Sequence, residues 1–361
     1  MGKAFPDREP VGVIFRICTM KKFSAQYAIT NSGPVLKRPV ITVSDDGTIT
    51  GIDDTGGELR EMDSVEFHNG IIIPGFVNCH CHLELSHMRG IIDRGIGLTG
   101  FLDSIRTSRA TDKENIILAA RSADRDMFVA GVNLCADICN TSDTFTVKQD
   151  SRISYINLLE VFGIDPERAG QRITEIKVLA ETARKMGLQY SIVPHSVYSL
   201  SLPLFRLLKN ETFSSRITSI HFMENREEKE LVENHSGPLM DYYKNSGLVR
   251  SGVETVNSHS EAVLDEITDS GNLILVHNTF VSEEVIKIVS RRKNLFWCLC
   301  PGSNLYIGKS MPPVDLLRNN SCEITTGTDS LASNNRLDIF QELKIIQARF
   351  PEVTAEELVR W

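Results

Sequence analysis

The stretch Pro74-Gly75-Phe76-Val77-Asn78-Cys79-His80-Cys81-His82 constrains this chain more than any other. Ile71, Ile72 and Ile73 lead into it. An apolar, β-branched run that ends in polar residues predicts a buried strand whose far end reaches a functional surface. Alternate strand side chains share a face, so His80 and His82 are expected to point one way and Cys79 and Cys81 the other. Two imidazoles side by side at a strand end can hold one divalent metal. A His-x-His pair also fits a surface position or a satisfied core pair, so the rest of the chain decides between these readings.

Before this stretch, residues 22–70 predict short strands and turns. Gln26–Thr30 and Val40–Val43 are candidate strands, and Asp45-Asp46-Gly47 signals a hairpin returning through Thr48–Ile52. Met20 opens a clean strand pattern, so residues 1–19 read as an upstream extension and 20–70 as a small β module, a partial β-sandwich. From residue 71 strands alternate with helices. Strands are expected from Ile71 to His82 and at Val132–Asp137, Ile153–Val161, Gln189–Pro194, Ile217–Phe222, Leu273–His277, Leu295–Cys300 and Glu323–Thr326. Helices are expected at Leu102–Ser108, Glu114–Ala130, Arg168–Met186, Arg226–Asn234, Glu283–Val289 and Leu337–Phe350. Eight strands so separated predict an α/β fold, a (β/α)8 TIM barrel over 71–361, near the usual size of roughly 250 residues. Thr354-Ala355-Glu356-Glu357 is a capping box, yet the chain stops at Trp361. The barrel is therefore expected to be truncated at its C-terminus, a frayed terminal turn being the rival explanation.

Composition excludes several classes. At 361 residues, 41% hydrophobic and 24% charged, the chain can bury a sizeable core. Its net charge of −8 comes without a dense basic stripe, which argues against nucleic acid or an anionic membrane as partner. No apolar run nears the roughly 18 residues a membrane helix needs. The eight cysteines lack Cys-x-x-Cys spacing and mostly sit in apolar segments, which points to free thiols in a reducing cytoplasm. There is no Gly-x-Ser-x-Gly elbow for a serine hydrolase.

Chemistry in this fold sits at the C-terminal ends of the strands. Those ends carry His80 and His82, then His195, His221 followed by Glu224, His277, and Asp329. Each alone fits a satisfied core residue; their joint placement on one rim favours a metal. His80, His82, His221 and Asp329 form a nitrogen-rich set suited to Zn²⁺, with Fe²⁺ as the alternative. A metal so held lowers the pKa of bound water to around 7. Asp329 can ligate and also take the water's proton. Glu224 can carry a proton to a leaving nitrogen if the strand breaks before it; otherwise it is a solvated acid at a helix start, like Glu227 and Glu228. His277 can orient the water or polarise an oxyanion.

These segments, together with Pro194-His195-Ser196-Val197-Tyr198, Cys300-Pro301-Gly302-Ser303-Asn304 and Gly327-Thr328-Asp329-Ser330, resemble the amidohydrolase superfamily in its branch of cyclic-amidine deaminases and chlorohydrolases. The resemblance implies one metal per chain on His80, His82, His221 and Asp329, with Glu224, His277 and Asp329 catalytic. It implies substrate contacts at His195, Glu84, Ser303 and Asn304. His82-Leu83-Glu84-Leu85-Ser86 and Glu160-Val161-Phe162-Gly163 are similar to aminodeoxyfutalosine deaminase-like proteins. In that case Glu84, Ser86 and His87 line the substrate mouth; otherwise they cap the loop after the first barrel strand. The implied activity is attack on a cyclic amidine of a small heterocycle by metal-bound hydroxide, with release of ammonia. The alternatives are a chloro- or amidohydrolase, or a metal-binding protein inactive through truncation. A homodimer is compatible with this reading. Family members normally continue past the position of Trp361 with strands that return to the small module, so the module is expected to expose strand edges.

Overall fold

The structure is a computed structural model that describes residues 20–59, 64–212, 216–247, 264, 267 and 271–361. The extension expected at 1–19 lies outside the described residues. The chain divides into two compact units, one ending at Pro74 and the other spanning Gly75–Trp361.

The first unit is a five-stranded sheet of β1 (Lys21–Ala28), β2 (Leu36–Lys37), β3 (Val40–Val43), β4 (Ile49–Asp53) and β5 (Val65–Ile72). β1 pairs antiparallel with β2 and β3 and parallel with β5. The strand expected at Gln26–Thr30 begins at Lys21 and ends at Ala28, because the sheet buries Ala25 and Ala28 on either side of an irregularity between Ala25 and Tyr27. The predicted hairpin is present: Gly47 N–H donates to the Ser44 carbonyl at 2.9 Å and Asp46 Oδ1 accepts from Thr48 N–H at 3.0 Å. Ile71–Ile73 correct the opening expectation. Ile71 and Ile72 end β5 of this small sheet, and Ile71 is 54% exposed. The break comes at Pro74, which supplies no N–H to continue a ladder.

The second unit carries two four-stranded parallel sheets. One is β6 (Phe76–Cys81), β7 (Val132–Cys139), β8 (Ser154–Val161) and β9 (Tyr190–Pro194); the other is β10 (Ile217–Phe222), β11 (Asn272–His277), β12 (Leu295–Leu299) and β13 (Ile324–Thr326). Parallel bridges Ser196–His221 and Cys81–Asp329 join them at both seams and close a barrel. One alternating set of side chains forms two inner clusters, Ala136, Ile138, Leu158 and Val193, and Ile274, Val276, Cys298 and Cys300. The other set, including Cys135, Leu159, Leu275 and Trp297, packs in the main core with helix residues such as Ile176, Ile286 and Ile346. Fully burying each such aliphatic side chain contributes about 1.5–3 kcal/mol.

Cys79 and Cys81 do not share a face as expected. β6 pairs Asn78 with Cys135 but Cys81 with Asp137, so it carries one extra residue there. That bulge lets Cys79 pack against the inner cluster while Cys81 joins the main core. The first helix spans Gly97–Ser108 rather than starting at Leu102, because Glu227, distant in sequence, accepts Thr99 N–H at 2.9 Å. The terminal turn is not frayed: Ala355–Arg360 is helical, with both capping-box bonds between Thr354 and Glu357 formed. Among the described residues no helix is long and apolar enough to cross a membrane.

Candidate metal centre and active site

The strand ends leave the sheet through strained backbone. Met223, His277, Asn278 and Asp329 adopt φ values of 48°, 77°, 57° and 57°. Left-handed conformations in non-glycine residues cost about 1–3 kcal/mol each and persist where the surroundings fix them. At β13 the approach is equally tight. A Cβ on Gly327 would meet the His80 Cβ at 2.8 Å and backbone atoms of His80 at 2.9 Å. Glycine there lets Thr328 and Asp329 N–H both donate to the His80 carbonyl at 3.0 Å, which draws Asp329 to His80.

His80 Nε2 lies 3.1 Å from His82 Nε2. Asp329 Oδ1 lies 3.7 Å from the first and 3.4 Å from the second. The other oxygen, Oδ2, accepts the hydroxyls of Ser303 at 2.5 Å and Ser333 at 2.8 Å. His221 Nδ1 sits 2.7 Å from the His195 carbonyl, so this nitrogen is the donor and Nε2 keeps its lone pair. One nitrogen each from His80, His221 and His277 lie within 4.8 Å of one another, as do the donor atoms of His80, His82 and Asp329. Burial pushes the His80, His82, His195, His221 and His277 imidazoles below their ordinary range, so they are neutral at pH 7. Burial also pushes the Asp329 carboxyl up, but His82, His277 and the Ser303 hydroxyl outweigh it and keep the group ionised. Neutral imidazole nitrogens in two overlapping groups that share His80, one of them with a single free carboxylate oxygen, fit a divalent cation.

A rival group, Cys81, Cys135 and Asp137, fits a metal poorly. Burial raises both thiols, and Asp137 is spent on Lys148 Nζ at 2.5 Å and Leu83 N–H at 2.7 Å.

Beside the histidines, the turn at Met223 swings Glu224 back over the rim. Its Oε1 lies 3.8 Å from His277 Nε2, and Tyr198 Oη donates to Oε2 at 3.5 Å. Burial raises Glu224 to about 7. His195 is half-buried, its ring 4.7 Å from that of His221, with Nδ1 on Ser199 Oγ at 2.7 Å.

Other expected substrate contacts are committed elsewhere. Glu84 pairs with Arg109 and accepts Asn140 and Thr141 N–H at 3.0 and 3.2 Å. Ser86 and His87 bond their own loop and the Arg109 carbonyl, which is the loop-capping arrangement. Ser303 orients Asp329, and the Asn304 amide meets His277 Nδ1 at 3.2 Å. Each side chain has a partner distant in sequence or in its own backbone that spacing does not reveal.

Sequence reasoning missed the buried acids behind the rim. Glu228 accepts Met223 and Glu224 N–H at 3.0 and 2.8 Å; Glu342 accepts Gly302 N–H and the Asn334 amide, both at 2.7 Å. A Cβ on Gly302 would come within 2.5 Å of Glu342 Oε1. Asn225 followed three residues later by Glu228 is a capping-box pattern that could have flagged the first.

The amidohydrolase family model matches residues 71–361. An adenosine deaminase of Helicobacter pylori is 28% identical over 285 residues, 77% of this chain and 68% of that protein. A 5-methylthioadenosine/S-adenosylhomocysteine deaminase of Pyrococcus horikoshii is 25% identical over 78% of this chain, which spans only 64% of that relative's length. Among solved structures, Helicobacter pylori aminofutalosine deaminase in complex with methylthio-coformycin matches with a TM-score of 0.76 at 24% identity, covering 91% of this chain and 81% of that one. An adenosine deaminase from Xanthomonas campestris with bound zinc matches with a TM-score of 0.64 at 20% identity, covering 93% and 76%. With a family model over more than half its length and a barrel rim of this make-up, the chain belongs to the amidohydrolase family.

Proposed function

We propose that this chain is a mononuclear metal-dependent aminohydrolase that replaces the exocyclic amino group of an aminopurine- or nucleoside-like cyclic amidine with oxygen and releases ammonia. The observation that carries the reading is Glu224 and His277 meeting at 3.8 Å beside three neutral histidines and the one free oxygen of Asp329. The names of the Helicobacter pylori and Pyrococcus horikoshii relatives, deaminases of adenosine-type compounds, support the same class.

His80, His82, His221 and Asp329 would hold one Zn²⁺, or Fe²⁺ in its place. When bound, the ion supplies a water acidified to near neutrality and a Lewis acid for the developing charge. Asp329 Oδ1 takes a proton from the attacking water. Glu224, with a pKa near neutrality, passes a proton to the ring nitrogen. His277, steadied by Asn304, faces the growing charge on the amidine carbon's oxygen. The amino group leaves as ammonia on the proton that Asp329 took from the water, the new oxygen's remaining proton returns to Glu224, and His195 contacts the substrate at the mouth. The buried thiols suit a reducing compartment, for which we infer the cytoplasm.

The test is ammonia release by zinc-loaded protein across aminopurine nucleosides and pterins, aminodeoxyfutalosine included. Release from one compound, cut by at least about a hundredfold to a residual rate in Glu224→Gln with zinc retained, supports the reading. Release of chloride or an amine instead, or zinc binding with no turnover of any amidine, overturns it.

A further inference from the structure

We propose that Glu228 is a positioning residue: by accepting the backbone N–H groups of Met223 and Glu224 it holds the left-handed turn that aims Glu224 into the site. The inference rests on the role given to Glu224 above. β10 ends at Phe222, and a strand continued regularly would turn the Glu224 side chain away from the His221 face. The chain instead passes through Met223 at φ 48°. The carbonyls of this turn are taken by the β11 side: Asn278 N–H donates to Phe222 at 3.0 Å and Phe280 N–H to Met223 at 2.9 Å. Its two donors go to Glu228 alone, at 3.0 and 2.8 Å.

Helix capping alone does not account for this arrangement. Asn225 caps the helix Arg226–Asn234 and accepts Glu227 N–H. Glu228 stands at the third helical position, from which a capping box would reach back to the cap's own N–H. Here the Asn225 N–H also acts on the carboxyl group, but its two oxygens reach past the cap to Met223 and Glu224 N–H at 3.0 and 2.8 Å. Glu228 is also fully buried, and no ion pair to it is found among the described residues. A buried acid without a cation is expensive, and two convergent N–H donors are the compensation it receives. Glutamine would offer one acceptor and set an amide donor against the second N–H, so the site specifies a carboxyl group.

A double-mutant cycle separates positioning from folding. Glu228→Ala is expected to lower kcat by about thirtyfold, with KM changed less than about threefold and zinc content and the Co²⁺ absorption spectrum unchanged. Glu228→Gln should recover part of the loss. In a Glu224→Gln background the same change should cost less than about threefold, since nothing remains to position. Equal losses in both backgrounds, or loss of zinc, would overturn the proposal. Amide exchange supplies an arm that needs no substrate. Met223 and Glu224 amides should exchange at least about tenfold faster in Glu228→Ala while Ile217–Phe222 stay protected. Unchanged exchange contradicts the proposal even if the parent protein turns over nothing, an outcome that by itself would count against the deaminase reading only.

Discussion

Around the barrel rim, His80, His82, His221, Glu224, His277 and Asp329 are all buried, while in the small sheet Ile49, Phe67 and Ile71 are 58%, 48% and 54% exposed. The rim spends buried carboxylates on backbone N–H groups: Asp137 on Leu83, Glu228 on Met223 and Glu224, Glu342 on Gly302. The first of those bonds fixes the residue after His82, the next two fix Glu224 and the residue before it, and the last fixes the residue before Ser303, which donates to Asp329. The sheet rests instead on its backbone ladders and a few small buried residues such as Ala25, Ala28 and Val40. A region that must present several polar groups to one point is over-determined, and one that only covers itself tolerates slack.

The contrast breaks first at Asp329. Asp329→Ala should reduce bound zinc, read by elemental analysis, from near one per chain to near zero, with turnover falling more than about a thousandfold. Phe67→Thr in the sheet should leave zinc content unchanged. Next is the interior ion pair behind His82. Lys148 Nζ is fully buried against Asp137, Cys139 and Asn157. Lys148→Met strands the Asp137 charge and should cost about 3–5 kcal/mol in urea unfolding. A milder effect is expected from acid. The rim imidazoles have folded pKa values below the ordinary 6.5, and His195 falls to about 4. The unfolded chain therefore takes up protons first, so metal-free protein should lose stability progressively as pH falls from 6.5 toward 4. His195→Gln should flatten that slope, measured as melting temperature against pH. The smallest effect is in the sheet, where Phe67→Thr should change stability by no more than about 0.5 kcal/mol.

The rim was legible because chemistry at a barrel mouth requires particular residue types at strand ends, and His80, His195, His221, His277 and Asp329 stand at or just past those ends. Glu224 was legible only conditionally, since its side chain reaches the site through the left-handed turn at Met223, a backbone fact that no residue type announces. Ile71–Ile73 misled because an apolar run reads as buried, yet it closes a sheet that leaves Ile71 half exposed. Glu228 and Glu342 were hidden because an acid near a helix start ordinarily faces water, and only tertiary packing turns these inward. Lys148 left no sequence signal, its partner Asp137 lying on the neighbouring strand β7.

The most direct test of the central claim, one divalent ion on His80, His82, His221 and Asp329, is zinc X-ray absorption on the loaded protein. Nitrogen and oxygen ligands at about 2.0–2.1 Å with imidazole outer scattering are expected, lost in His82→Ala. A sulfur shell at about 2.3 Å, placing the ion with Cys81 and Cys135, or an unchanged spectrum in His82→Ala, would contradict the claim.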